Sequence, residues 1–78
     1  MYYVYLLKLK DSSIYTGSTP DLGRRLKQHR DGLVKSTKNL SPVSFVWSAG
    51  FKYRITALRF EQYLKTGSGQ AFRNRRLI

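Results

Sequence analysis

Cysteine is absent from the chain, proline appears twice, and acidic residues number only four. The missing thiols exclude a disulfide framework and a thiolate zinc site as braces for so small a chain, and fit a reducing compartment. The apolar opening Met1-Tyr2-Tyr3-Val4-Tyr5-Leu6-Leu7-Lys8 is far shorter than a bilayer span and lacks the basic start of a signal peptide. These absences point to a water-soluble, cytoplasmic domain. With 78 residues, of which 41% are hydrophobic and 14% aromatic, the chain has the composition of one globular domain, residues 1–78, with a thin core. No internal repeat, low-complexity stretch or linker divides it.

The scarcity of acid sets off the base. Fifteen Lys+Arg against four Asp+Glu leave a net charge of +11 and a pI near 10.5. Self-repulsion of that size disfavours the compact state, so the charge calls for an external partner, and phosphate is the first candidate. An anionic membrane surface fits less well, because no basic amphipathic helix with a broad apolar face is present. A basic protein without a polyanionic partner is the bland alternative.

Residues 2–9 alternate loosely, are rich in Tyr and Val, and predict a strand. Asp11-Ser12-Ser13 is turn chemistry, and Ile14-Tyr15-Thr16 predicts a second strand ended by Gly17, giving an antiparallel hairpin. Ser18 or Thr19 as N-cap, Pro20 at the first position and Asp21 in the first turn predict a helix from about Pro20 to Arg30. Leu22 and Leu26 supply its inward face, and Arg24, Lys27 and Arg30 point out. Residues 33–42 read as a basic loop and Val43 to Phe51 as a third strand. Arg54 to Lys65 reads as a second helix, broken by Gly67-Ser68-Gly69 before a basic tail of a further helical turn or two. The class is α+β: a three-stranded, mainly antiparallel sheet flanked by helices, in the order ββαβα plus tail.

Asp11, Asp21 and Asp31 have ordinary explanations in a turn and at helix ends. Glu61 does not. Helical spacing puts it between Ala57 and Leu58 one turn before and Leu64 one turn after, on the stripe expected to face the core. A carboxylate there needs a partner, either a neighbouring arginine or a metal ion. Tyr2, Tyr3, Tyr5 and Tyr15 crowd the hairpin, as packing or as chemistry. Arg25 and His29, at i and i+4, share a helical face; His29 is the only histidine.

The ordered set Tyr3-Val4-Tyr5, Tyr15-Thr16-Gly17 and Ser18-Thr19-Pro20-Asp21-Leu22-Gly23-Arg24-Arg25-Leu26-Lys27-Gln28-His29 resembles the signature of the GIY-YIG nuclease superfamily, small stand-alone bacterial type. The likeness continues through Lys35-Ser36-Thr37-Lys38, a proline-led strand and the helix with Ala57-Leu58-Arg59-Phe60-Glu61. Its first motif reads Tyr-Val-Tyr and its second Tyr-Thr-Gly, and Asn74 is the only asparagine after Glu61. The resemblance implies a metal-dependent endonuclease cutting DNA phosphodiesters with low intrinsic sequence specificity. It implies Tyr5 and Tyr15 as paired active-site tyrosines, Arg25 as catalytic arginine, His29 as helix histidine and Glu61 as ligand of one Mg²⁺ or Mn²⁺ ion. Neighbouring cations and metal would favour a tyrosine phenolate as base. Lys27, Lys35, Lys38, Arg73, Arg75 and Arg76 are the candidate nucleic-acid contacts, with DNA favoured over RNA and a protein partner as one source of specificity. The alternative is a non-catalytic nucleic-acid-binding module on the same fold.

A surface this basic should bind nucleic acid with a steep salt dependence. Affinity for a labelled DNA duplex, followed by fluorescence anisotropy, should fall on the order of 10³–10⁵ between about 50 and 200 mM salt if roughly 6–10 phosphates are contacted.

Overall fold

The computed structural model describes residues 1–78. Three strands, β1 (Tyr2–Lys8), β2 (Ile14–Thr19) and β3 (Ser44–Phe51), accompany three helices, α1 (Leu22–Arg30), α2 (Arg54–Leu64) and α3 (Gly67–Arg76). A short 3₁₀ turn at Lys38–Leu40 lies in the long α1–β3 connection. The sheet order is β2-β1-β3 and both pairings are antiparallel. The expected α+β class and sheet are what the chain forms. No helix is long and apolar enough to cross a membrane.

The loose alternation of the first strand has a simple cause. β1 is the central strand and is covered on both faces, so Val4, Tyr5, Leu6 and Leu7 are all buried. Val4 and Leu6 pack with Ala57 and Leu64 beneath α2, whereas Tyr5, Leu7 and Leu9 face the opposite way, towards Leu22 and Leu26 of α1. Two thin cores thus share one strand, and only 14 of 78 residues are buried.

The boundaries differ from expectation at three places. β2 does not end at Gly17: the ladder continues through Val4↔Ser18 and Tyr3↔Thr19. Ser18 and Thr19 are therefore extended strand residues and not helix caps. Asp21 takes the cap, its carboxylate accepting from the Arg24 N–H at 3.1 Å, and α1 starts at Leu22 instead of Pro20. At the other end, Gly67-Ser68-Gly69 does not open a short tail but begins a ten-residue helix. Thr66 makes this possible, donating to the Tyr63 carbonyl at 2.7 Å and accepting from Gly69 N–H at 3.1 Å, so one side chain links the end of α2 to the start of α3.

Gly69 is the contact point of those helices. It is buried, and a Cβ there would run into the Tyr63 carbonyl, which is backbone and has no room to yield; at Gly67 a Cβ would meet open space. Gly69→Ala should therefore cost about 1–3 kcal/mol by forcing α3 away from α2. Gly67→Ala should stay within about 0.5 kcal/mol of the parent. Urea denaturation of the two variants measures both.

Candidate active site

Tyr5 lies near the middle of the buried strand with its ring on the α1 face. Its cross-strand neighbour is Gly17, and a Cβ at Gly17 would stand 2.5 Å from the Tyr5 ring and hydroxyl and 3.0 Å from the Tyr15 ring. Glycine at this position is what lets the phenol lie flat on the edge strand. The Tyr5 hydroxyl is 2.8 Å from His29 Nε2, and His29 Nδ1 is 2.8 Å from Thr37 Oγ1. His29 and Thr37 are both fully buried. Tyr15 completes the cluster, its ring 5.1 Å from His29 and 6.2 Å from Tyr5.

Burial and the neighbouring Arg25 charge lower the pKa of His29, so the imidazole is neutral at pH 7. Burial likewise pushes the Tyr5 phenol up to about 12, and the Arg25 guanidinium beside it only partly offsets this. The phenolate expected from the surrounding cations is thus not the resting form of Tyr5, because loss of water outweighs attraction to Arg25. The tyrosines in turn hold Arg25 protonated. With the Arg25 charge facing the phenol oxygen, the phenol proton points at Nε2 and the His29 proton sits on Nδ1, donated to Thr37; this tautomer is assigned from the network.

Glu61 comes from the other side. Ser18 pairs with Val4 and Gly17 with Tyr5, so alternation puts the Ser18 side chain on the α2 face. There its hydroxyl donates to Glu61 Oε1 at 2.6 Å, while Lys65 Nζ lies 3.0 Å from Oε2. The Glu61 side chain is 16% exposed, against 56% for Lys65. The partner that a carboxylate on this stripe needs is therefore a serine and a lysine one turn on, not an arginine. Arg25, half-buried and held by Gln28 Oε1 at 3.1 Å, lines a pocket of about 230 Å³ whose wall runs from Ser18 to Asp21. Both faces of the strand thus present chemistry to its Gly17–Ser18 edge: phenols, imidazole and guanidinium on one, a carboxylate on the other.

Residues 1–75 match the model of the GIY-YIG catalytic domain. The chain belongs to the GIY-YIG family. A GIY-YIG domain is of nuclease type, so its substrate class is nucleic acid. Among curated relatives, a UPF0213 protein of Clostridium perfringens is 42% identical over 66 residues, covering 83% of this chain and 71% of its own. One of Staphylococcus saprophyticus is 39% identical over 70 residues, covering 88% and 85%. The solution NMR structure of the UPF0213 protein BH0048 from Bacillus halodurans aligns with a TM-score of 0.58 at 36% identity, over 92% of this chain and 81% of that one.

In this GIY-YIG domain no group of three or more His, Cys, Asp or Glu side chains is gathered to cage a metal. Glu61 stands as a lone carboxylate with a serine hydroxyl beside it. That donor set fits a hard cation held by one carboxylate, waters and substrate phosphate, the usual mode of Mg²⁺, and does not fit a cage made wholly of protein ligands. The candidate contact residues are spread more widely. Lys27 is exposed and paired with Asp31 at 2.7 Å, Lys35 and Lys38 are exposed on the α1–β3 connection, and Arg73, Arg75 and Arg76 ride on α3. Ser18 and Thr37 are the residues that sequence reasoning missed. Ser18 looked like a helix cap, and Thr37 sat in a polar loop; only the closing of that loop beneath His29 reveals its role.

Two groups set opposite ends of the pH–stability curve. His29 binds its proton less readily in the fold than in the unfolded chain, so its contribution is complete above about pH 6.5 and is lost as the pH falls below that. Tyr5 binds its proton more tightly in the fold, so its contribution is complete below pH 10.0 and is lost as the pH rises towards about 12. Fully developed, the alkaline loss is about 2–3 kcal/mol. Urea midpoints should be flat between these limits, the alkaline limb should shrink in Tyr5→Phe, and the limb beginning near pH 6.5 should shrink in His29→Gln.

Proposed function

We propose that this domain is a cytoplasmic, metal-dependent endonuclease that hydrolyses DNA phosphodiester bonds with low intrinsic sequence specificity, on branched or damaged DNA. A partner protein is the natural source of any finer specificity. The observation that carries this reading is the convergence of Tyr5, Tyr15, Arg25 and His29 with Glu61 on the two faces of one strand edge. Binding alone does not need a half-buried glutamate on so basic a surface.

Phosphodiester hydrolysis needs a gripped phosphate, an acceptor for the water proton and stabilisation of the departing oxygen. Arg25, fixed by Gln28 and kept charged by the phenols, is suited to hold non-bridging oxygens in its planar fork. Tyr15, the more open of the two tyrosines, orients the attacking water. A buried phenol with so high a pKa is a poor base by itself. Coupled to a neutral imidazole 2.8 Å away, however, it can accept a proton from water while passing its own to His29 Nε2, never standing as phenolate. Thr37 receives the Nδ1–H and steadies the imidazolium so formed. Glu61, steadied by Ser18, is the residue to hold Mg²⁺ or Mn²⁺, which when bound supplies positive charge for the leaving oxygen. Lys27, Lys35 and Lys38 draw the polyanion to the surface, and Arg73 joins them from α3.

Nicking of supercoiled plasmid and of branched DNA with Mg²⁺ or Mn²⁺ tests the proposal against Glu61→Gln. Cutting should require metal and fall on the order of 10²–10³-fold in the variant, with DNA binding retained. Equal cutting by both proteins would sink the site assignment. Tight binding without cutting by the parent on any substrate would make the domain a binding module instead.

A further inference from the structure

The row of β2 side chains on the Glu61 face continues past the site. Ser18, Thr16 and Ile14 alternate along that face, and Ile14 stands across from Lys8 of β1. Helix α3 runs beside this row and presents Gln70, Arg73 and Asn74 to it, at i, i+3 and i+4. A concavity of about 250 Å³ lies between Tyr15, Thr16, Lys65, Gln70 and Arg73. It joins, through Ile14, Gln70 and Arg73, a second of about 780 Å³ that reaches Lys8, Ser12, Ser13 and Asn74. No Asp or Glu side chain lines either one. Lys65 lines this groove and pairs with Glu61, so the groove ends one side chain away from that carboxylate. Arg75 and Arg76 lie outside it, around a separate hollow with Phe72.

From these placements we infer that one strand of the nucleic acid, beyond the phosphate held at the Gly17–Ser18 edge, runs along β2 towards the Asp11–Ser13 turn. Its successive phosphates lie on Lys65, Arg73 and Lys8. The inference rests on the nuclease reading and adds a path to it. Four residue steps from Ser18 to Ile14 cover about 14 Å at strand rise, long enough for more than one backbone phosphate. The groove offers cations, hydroxyls and amides along its length but no ladder of aromatic rings on which bases could stack. The track therefore reads backbone and not sequence.

Charge-matched variants test the path. Lys8→Gln/Arg73→Gln and Arg75→Gln/Arg76→Gln each remove two positive charges, so they perturb the general field alike. Binding of a fluorescein-labelled twelve-nucleotide oligothymidylate, measured in EDTA over a range of salt, reports phosphate neutralisation without cutting. The first pair should flatten the log–log salt slope by about 1.4, at about 0.7 for each single-strand phosphate no longer neutralised, and the second should leave it close to the parent. Lys8→Gln alone, at an exposed strand end, should flatten it by about 0.7 and guards against misfolding at Arg73. Equal slope changes in the two pairs, or none in the first, would overturn the path. Metal-dependent cutting with no slope difference would sink the path alone, whereas a slope difference without cutting would sink only the nuclease reading.

Discussion

The hydrogen bond from the Tyr5 phenol to His29 holds helix α1 to the sheet. Helix α1 is nine residues long, carries Arg24, Arg25, Lys27 and Arg30, and buries a single side chain completely, that of His29. Leu22 and Leu26 give it only a narrow apolar contact with the sheet. The phenol, seated on Gly17, and the imidazole, braced from behind by Thr37, therefore fasten this helix to β1 and close the α1–β3 loop under it. The same clamp determines where Arg25 can reach. Stability and chemistry are joined at one buried polar network, in which every buried side-chain polar atom has a partner.

In the proposed reaction a phosphate is small relative to the groups that would act on it, and the fold gathers Tyr5, Tyr15, Arg25 and Glu61 by working from both faces of a single strand. The β2 edge at Gly17–Ser18 is narrow enough for this because one residue has no side chain and the other only a hydroxyl. Bulk there would separate the phenols from the carboxylate. Glu61 is near enough to the Tyr5 hydroxyl for its charge to raise the phenol's pKa further. More carboxylates at this edge would repel the phosphate that the proposed reaction places there.

Charge is distributed by the same logic. Asp21 and Asp31 lie at the two ends of α1, the first capping its N-terminus and the second pairing with Lys27 at its C-terminal end, and Asp11 is used within its turn. None of the three lines the groove beside β2. Helix α3 divides the arginines of the C-terminal segment between two sides, Arg73 towards the active edge and Arg75 and Arg76 away from it. A stretch that reads in sequence as one basic run is thereby divided between two surfaces.

The sequence alone was enough for the fold class, the hairpin, the helix carrying Arg25 and His29, and Glu61 as the carboxylate out of place. Those features are written in local periodicity, in turn and cap chemistry, and in a motif whose residues lie close together along the chain. The cap of α1 was not legible, because Ser18 and Asp21 both have capping side chains and only pairing with Val4 decides that Ser18 stays in the strand. Ser18 and Thr37 as partners of Glu61 and His29 were also hidden, being separated from them by 43 and 8 residues. The burial that raises the Tyr5 pKa was hidden for a related reason: charge can be counted along a chain, whereas desolvation depends on what the fold packs around the hydroxyl. Composition and local pattern determined which groups this protein has, and tertiary contact decided which of them meet, which lose their water and which face the groove.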